Sequence, residues 1–141
     1  EDVDLQRERP HAVEAAMVLA GEVQLTDCIP VLAENIQFWA TEPSTFFAEK
    51  LESYPAGMAL VRMGFASVPT LVGLLPSDDL GSGILASMAL NKMQQKPLIL
   101  DLMVAARDRT EDPVKRERLD LCVKIMQSSI KEDQWRGIPQ Q

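Results

Sequence analysis

Acyl transfer or hydrolysis of the Ser–His–Asp or Cys–His kind needs an imidazole within reach of a nucleophile. This sequence has one histidine, His11. It stands beside Pro10 at the start of the first apolar pattern, where an imidazole reads as a solvated surface group. Two cysteines, Cys28 and Cys122, lie far apart. Neither C-x-x-C nor Cys/His ligand spacing occurs, so no metal site is expected. Both cysteines fall on the apolar side of helical patterns and read as small buried hydrophobes. A disulfide joining them is the sharper alternative. The acidic pairs Asp78-Asp79 and Glu132-Asp133 fall at helix ends, where carboxylates are usually solvated. A two-carboxylate site assembled only in space stays open. Gly81-Ser82-Gly83 has no following Lys-Ser/Thr and no preceding strand, so it does not read as a phosphate cradle. No catalytic, cofactor-binding or metal-ligating residue is assigned, and no cofactor is expected.

The residues best suited to gripping something are aromatic. Residues 37–54 hold five of the chain's seven aromatics, namely Phe38, Trp39, Phe46, Phe47 and Tyr54. Aromatic side chains concentrate binding energy at interfaces, and a long connection in a helical fold is often functional. Phe38, Trp39, Phe47 and Tyr54 are therefore the candidate partner-binding residues. Trp39 and Tyr54, flanked by polar residues, are the two expected to be exposed. In the competing reading Phe38, Phe46 and Phe47 fold back to cover a groove between helix pairs.

Charge narrows the partners. The formal net charge is −7, whereas a nucleic-acid binder needs a basic footprint to neutralise phosphates. The densest basic stretch, Arg107 to Arg118, is interleaved with Asp108, Glu111, Asp112 and Glu117 and reads as a mixed-charge solvated surface. A protein partner is expected, and nucleic acid is not. No apolar run is expected to approach the ~20 residues that cross a bilayer, so membrane insertion is not expected either. Apolar residues at 46% and charged residues at 25% are ordinary for a globular chain, and 141 residues suit one domain with one core.

The elements that would position these residues are helices. Apolar residues at i, i+3, i+4 and i+7 mark one face of a helix. Seven segments carry that spacing, beginning near Val13, Ile29, Ala56, Val68, Leu85, Ile99 and Leu119, and no strand alternation is convincing. Three of them open with proline, as Ile29-Pro30, Val68-Pro69 and Lys96-Pro97, and Asp112-Pro113 repeats the device. Proline costs ~3 kcal/mol inside a helix but is harmless in the first turn, so each one marks a start. Thr26-Asp27 and Ser67 are placed to cap two of these starts. Residues 77–83 read as a loop.

Paired in order, the segments form a second pattern. Residues 56–75 run Ala-Gly-Met-Ala-Leu-Val-Arg-Met-Gly-Phe-Ala-Ser-Val-Pro-Thr-Leu-Val-Gly-Leu-Leu. That stretch resembles a HEAT repeat, in which a small-residue helix and a Gly-containing turn precede a Val-Pro-x-Leu helix. Ala15–Val23 with Ile29–Leu32, and Ile84–Leu90 with Pro97–Leu100, are similar but looser copies. The step from Ala56 to Leu85 resembles that of the short-repeat, bilin-lyase-like HEAT group, and the longer step from Val13 to Ala56 accommodates the aromatic insertion. The resemblance implies an all-α fold: an α-α superhelix of about three antiparallel helix pairs. Residues 113–131 would be a C-terminal capping helix, supported by Glu111–Lys115, Asp112–Arg116 and Arg116–Asp120 pairs. It covers roughly residues 11–107 and constrains function less than fold. HEAT-like metal oxygenases carry several His-Glu pairs and HEAT-like DNA glycosylases a basic groove; this sequence has neither.

The expected organisation is one repeat domain over residues 1–141, with a polar leader (1–10), the aromatic-rich insertion (37–54) and a tail (132–141) frayed unless Trp135 packs back. The chain opens on Glu1 without a signal-peptide pattern. A processed exported chain, a trimmed intracellular one and a piece of a longer solenoid are all compatible, and location and oligomeric state stay open. The leading reading of function is a non-catalytic protein-interaction module or scaffold. The alternative is an accessory subunit or lyase-like enzyme that grips a small hydrophobic ligand. The seven methionines could line its pocket, but Met17, Met63, Met88, Met103 and Met126 all lie on the apolar pattern, where methionine is more often ordinary core. A hydrophobic cavity would favour that alternative.

Overall fold

The computed structural model describes residues 9–40 and 50–140, and within them every regular element is helical. Seven α-helices follow in order: α1 (Pro10–Glu22), α2 (Ile29–Glu34), α3 (Pro55–Met63), α4 (Val68–Leu74), α5 (Leu80–Asn91), α6 (Lys96–Arg109) and α7 (Pro113–Arg136). Short 3-10 turns at Thr26–Cys28, Leu51–Ser53 and Gly64–Ser67 precede α2, α3 and α4. Every helix except α5 has proline in its first turn, where the missing N–H leaves no bond unmade. By packing, the chain divides into two units, residues 1–67 and residues 68–141.

In the first unit α1 and α2 both pack on α3. The α1–α3 contact is made by small residues. A Cβ on Gly21 would lie 2.8 Å from the Cα of Ala59, so the two backbones meet with no room for a side chain between them. Ile36, Leu51, Ala56 and Leu60 are fully buried around that crossing. Ser67 is also fully buried, and its hydroxyl bonds the carbonyls of Leu60 (2.7 Å) and Gly64 (2.9 Å). It therefore satisfies carbonyls at the end of α3 and does not make the α4 cap that its position before Pro69 predicts.

In the second unit α4 packs on α5 and α6, and α6 lies along α7. Leu71, Leu85, Leu90, Ile99, Met103 and Met126 are fully buried there. Lys96, at the start of α6, is buried and paired: its Nζ donates to Asp133 Oδ2 (2.7 Å) and Ser129 Oγ (2.8 Å) of α7. Gln140 completes the cluster by donating to Asp133 Oδ2 (2.7 Å) and accepting from the Lys96 backbone N–H (3.1 Å). The Lys96 hydrogen bond holds the Asp133 carboxyl below its ordinary value of 3.8 against the opposing effect of burial, with Gln140 adding to the depression.

Several expectations are corrected. Part of the tail is helical: α7 runs on to Arg136, Gly137 takes a left-handed φ of 73°, and Ile138 N–H closes onto the Asp133 carbonyl at 2.8 Å. Residues 77–83 are not all loop, because α5 begins at Leu80 and includes Gly81 and Gly83. The side chain of Asp112 caps α7 through the N–H groups of Val114 and Lys115, so it serves the backbone rather than Arg116. Asp120 pairs with Arg107 (3.0 Å) and Lys124 (3.1 Å) instead of Arg116. Cys28 and Cys122 are free thiols, one in each unit. Finally, Pro55–Leu74 is a 20-residue helical stretch that is long and apolar enough to cross a membrane by length and composition, although no such run was expected. Arg62 lies inside it, and Ala56, Leu60, Met63, Val68 and Leu71 are buried.

Candidate functional site

The aromatic surface expected of residues 37–54 does not form among the described residues. Tyr54, expected to be exposed, is only 6% exposed, and Phe38 is 7% exposed. The cause is local. Tyr54 immediately precedes α3 and follows the Leu51–Ser53 turn, whose Leu51 is fully buried against Gly57, so the chain enters α3 from the core side. Phe38 turns inward after α2 and lines a recess of about 260 Å³ with Met17, Leu32 and Cys28. Trp39 is half-buried. Phe46 and Phe47 lie outside the described residues. The fully presented aromatic is Trp135, 87% exposed near the end of α7.

What the sequence reading missed is a groove in the second unit. The helices α5 and α7 run side by side in the same sense, as Arg118 reaches Asp78 near one end and Ser87 lies near the Cys122 thiol farther along. Small residues on α5, Gly83 and Ser87, keep the floor low. A Cβ on Gly83 would lie 3.1 Å from the Leu75 carbonyl oxygen. The resulting groove measures about 450 Å³. Two rows of large aliphatic side chains form its walls, and they face water. Leu80 and Ile84 on α5 are 60% and 54% exposed, and Leu121 and Ile125 on α7 are 59% and 45% exposed. Single exposed aliphatics are ordinary, whereas four around one concavity make an apolar site.

The electrostatics of the groove are quiet. Arg118 is the charged lining residue, and its Nη1 is already committed to the carbonyls of Pro76 (3.2 Å) and Ser77 (3.1 Å) and to Asp78 Oδ1 (3.0 Å). That clasp also fixes the end of α7 to the turn before α5. Burial pushes the Cys122 thiol up, with the Ser87 hydrogen bond acting in the opposite direction. The group therefore stays protonated near neutrality and is a poor nucleophile. Asn91 donates Nδ2–H to the Ser87 carbonyl (2.8 Å), while its Oδ1 is buried and meets no donor of the protein. Acidic and basic residues are equal in number over 68–141, so the whole net charge of −7 falls in residues 1–67.

Such an arrangement can bury apolar surface but brings no acid, base or nucleophile to a common point. Among the described residues no three of His, Cys, Asp and Glu gather as a metal-binding group. The recess beside Phe38 is smaller and is walled partly by buried side chains.

The signal for the groove was present in the sequence but lay off the main stripe. Leu121 and Ile125 repeat at i, i+4 on α7 beside the core positions Leu119, Val123 and Met126, and Leu80 and Ile84 do the same on α5. No protein-family model matches this chain. No curated protein matches it, and neither does any solved structure.

Proposed function

We propose that this chain is a non-catalytic binding module of the HEAT-like helical-repeat kind, its helix pairs stacked as an α-α superhelix. Its working surface is the α5–α7 groove, and the occupant belongs to a protein partner. The observation that carries the reading is the set of four exposed aliphatics, Leu80, Ile84, Leu121 and Ile125, around one concavity of about 450 Å³. Left in water, these side chains forgo roughly 25 cal/mol for each Å² a partner would cover. The all-helical chain, its short connections and its first-turn prolines support the repeat reading.

The test uses the whole chain and a partner purified from its native source. The double variant Ile84→Glu, Ile125→Glu should keep the wild-type melting transition, because both side chains are largely exposed, and should lose at least roughly a hundredfold in affinity. The variant Leu19→Glu, on exposed α1 surface, should bind as wild type. Unchanged binding by the groove variant would sink the reading.

One observation favours a second reading. The groove volume lies in the range of small-molecule sites, roughly 300–1,000 Å³, and half-buried Met88 lines it. An apolar small molecule carried through purification and released by the groove variant would favour the accessory-subunit alternative.

A further inference from the structure

Resting on the reading of the groove as a protein-binding surface, we infer that its occupant is an α-helix about three turns long, whose docking face is apolar and uncharged. Three observations lead there. The first is where the exposed area lies. Leu80 and Leu121, on opposite walls, are 60% and 59% exposed. A molecule confined to the floor would leave the outer faces of both in water. An α-helix, ~10 Å across with its side chains, is wide enough to rest on both walls at once.

The second is spacing. Each wall is an i, i+4 row, Leu80–Ile84 on one side and Leu121–Ile125 on the other. The two helices run in the same sense, so the rows form two ridges with a channel between them. Ridges of i±4 side chains are the features into which another helix's ridges pack. Gly83 and Ser87 lower the channel floor. From Leu80 to Asn91 the channel runs about 16 Å at 1.5 Å per residue, which matches anchors at i, i+4 and i+7 on the incoming helix.

The third is charge complementarity. The Nη1 of Arg118 is committed to Asp78 and two carbonyls, the other groove side chains are uncharged, and the surrounding unit carries no net charge. A charged side chain lowered into the groove would be desolvated without a partner, which costs far more than apolar burial returns. Affinity should then be nearly independent of salt, unlike that of a surface that recruits its partner by charge.

The experiment titrates the whole chain, labelled on Leu and Ile methyls, with synthetic peptides of about 14 residues. One is helical, carries no net charge and has Leu anchors at i, i+4 and i+7. A second scrambles the same composition so that no face is apolar. A third keeps the anchors and places Lys and Glu between them on the docking face. Dodecanol serves as the small apolar probe. The expected result is shifts at Leu80, Ile84, Leu121 and Ile125 with the first peptide, and at least roughly tenfold weaker binding by the other two. The first peptide's affinity should change less than about twofold between about 50 and about 500 mM salt, and Ile84→Glu should abolish the shifts. If the scrambled peptide binds the groove equally well, the helix inference falls while the protein-binding reading stands. If dodecanol fills the groove and no peptide does, both fall. If neither peptide nor dodecanol moves these methyls, the inference is overturned as well.

Discussion

At the scale of single residues, burial separates aromatics that look alike in sequence. Tyr54 and Trp39 both sit among polar neighbours, yet Tyr54 is core and Trp39 half-buried. Tyr54→Ala should therefore cost about 3 kcal/mol of unfolding free energy, and Trp39→Ala about 1 kcal/mol or less, as urea titration would read. Near-equal losses would contradict the assigned burial. The Lys96–Asp133 pair makes a pH-dependent claim. Asp133 titrates lower folded than its ordinary value of 3.8, so the folded state binds its proton less readily than the unfolded one. The stabilisation is then complete above pH 3.8 and is lost as pH falls through the folded value. Wild type should be more stable than Asp133→Asn near neutrality, and the gap should close below pH 3.8. A gap that persists unchanged into acid would show that the charge on Asp133 contributes nothing.

Elements were the most legible level, and the reasons can be traced to particular residues. The i, i+3, i+4, i+7 rows placed the seven helices of the described residues, because a 3.6-residue period needs only local sequence to be visible. First-turn prolines fixed the starts of α2, α4, α6 and α7 for the same local reason. Expectations that depended on long-range partners fared worse. Ser67 looked like a cap but bonds the end of α3, and Glu132-Asp133 looked like loop charges but Asp133 receives Lys96 from another helix. The groove escaped notice because Gly83 read as loop, whereas its lack of a side chain serves packing against Leu75. Two substitutions test element-level claims. Asp112→Ala removes the cap of α7 and should cost about 1 kcal/mol. Gly21→Ala forces a Cβ to within 2.8 Å of the Ala59 Cα and should cost about 1–3 kcal/mol through overpacking. A neutral result at Gly21 would mean that α1 and α3 separate more easily than their contact implies.

For the molecule as a whole, net charge is divided unequally between the two units. The net charge of −7 falls in residues 1–67, while residues 68–141 are balanced and carry the groove. The proposed binding role needs one apolar face kept out of the protein's own core, and the exposed walls of α5 and α7 are such a face. The most direct measurement is photo-crosslinking in the native cell, with a benzophenone amino acid placed in turn at positions 84 and 125 and, as control, at exposed position 23 just after α1. The account expects positions 84 and 125 to yield the same single protein adduct, attached through the apolar face of a helix, and position 23 to yield none. Equal adducts from position 23, or none from 84 and 125, would contradict it.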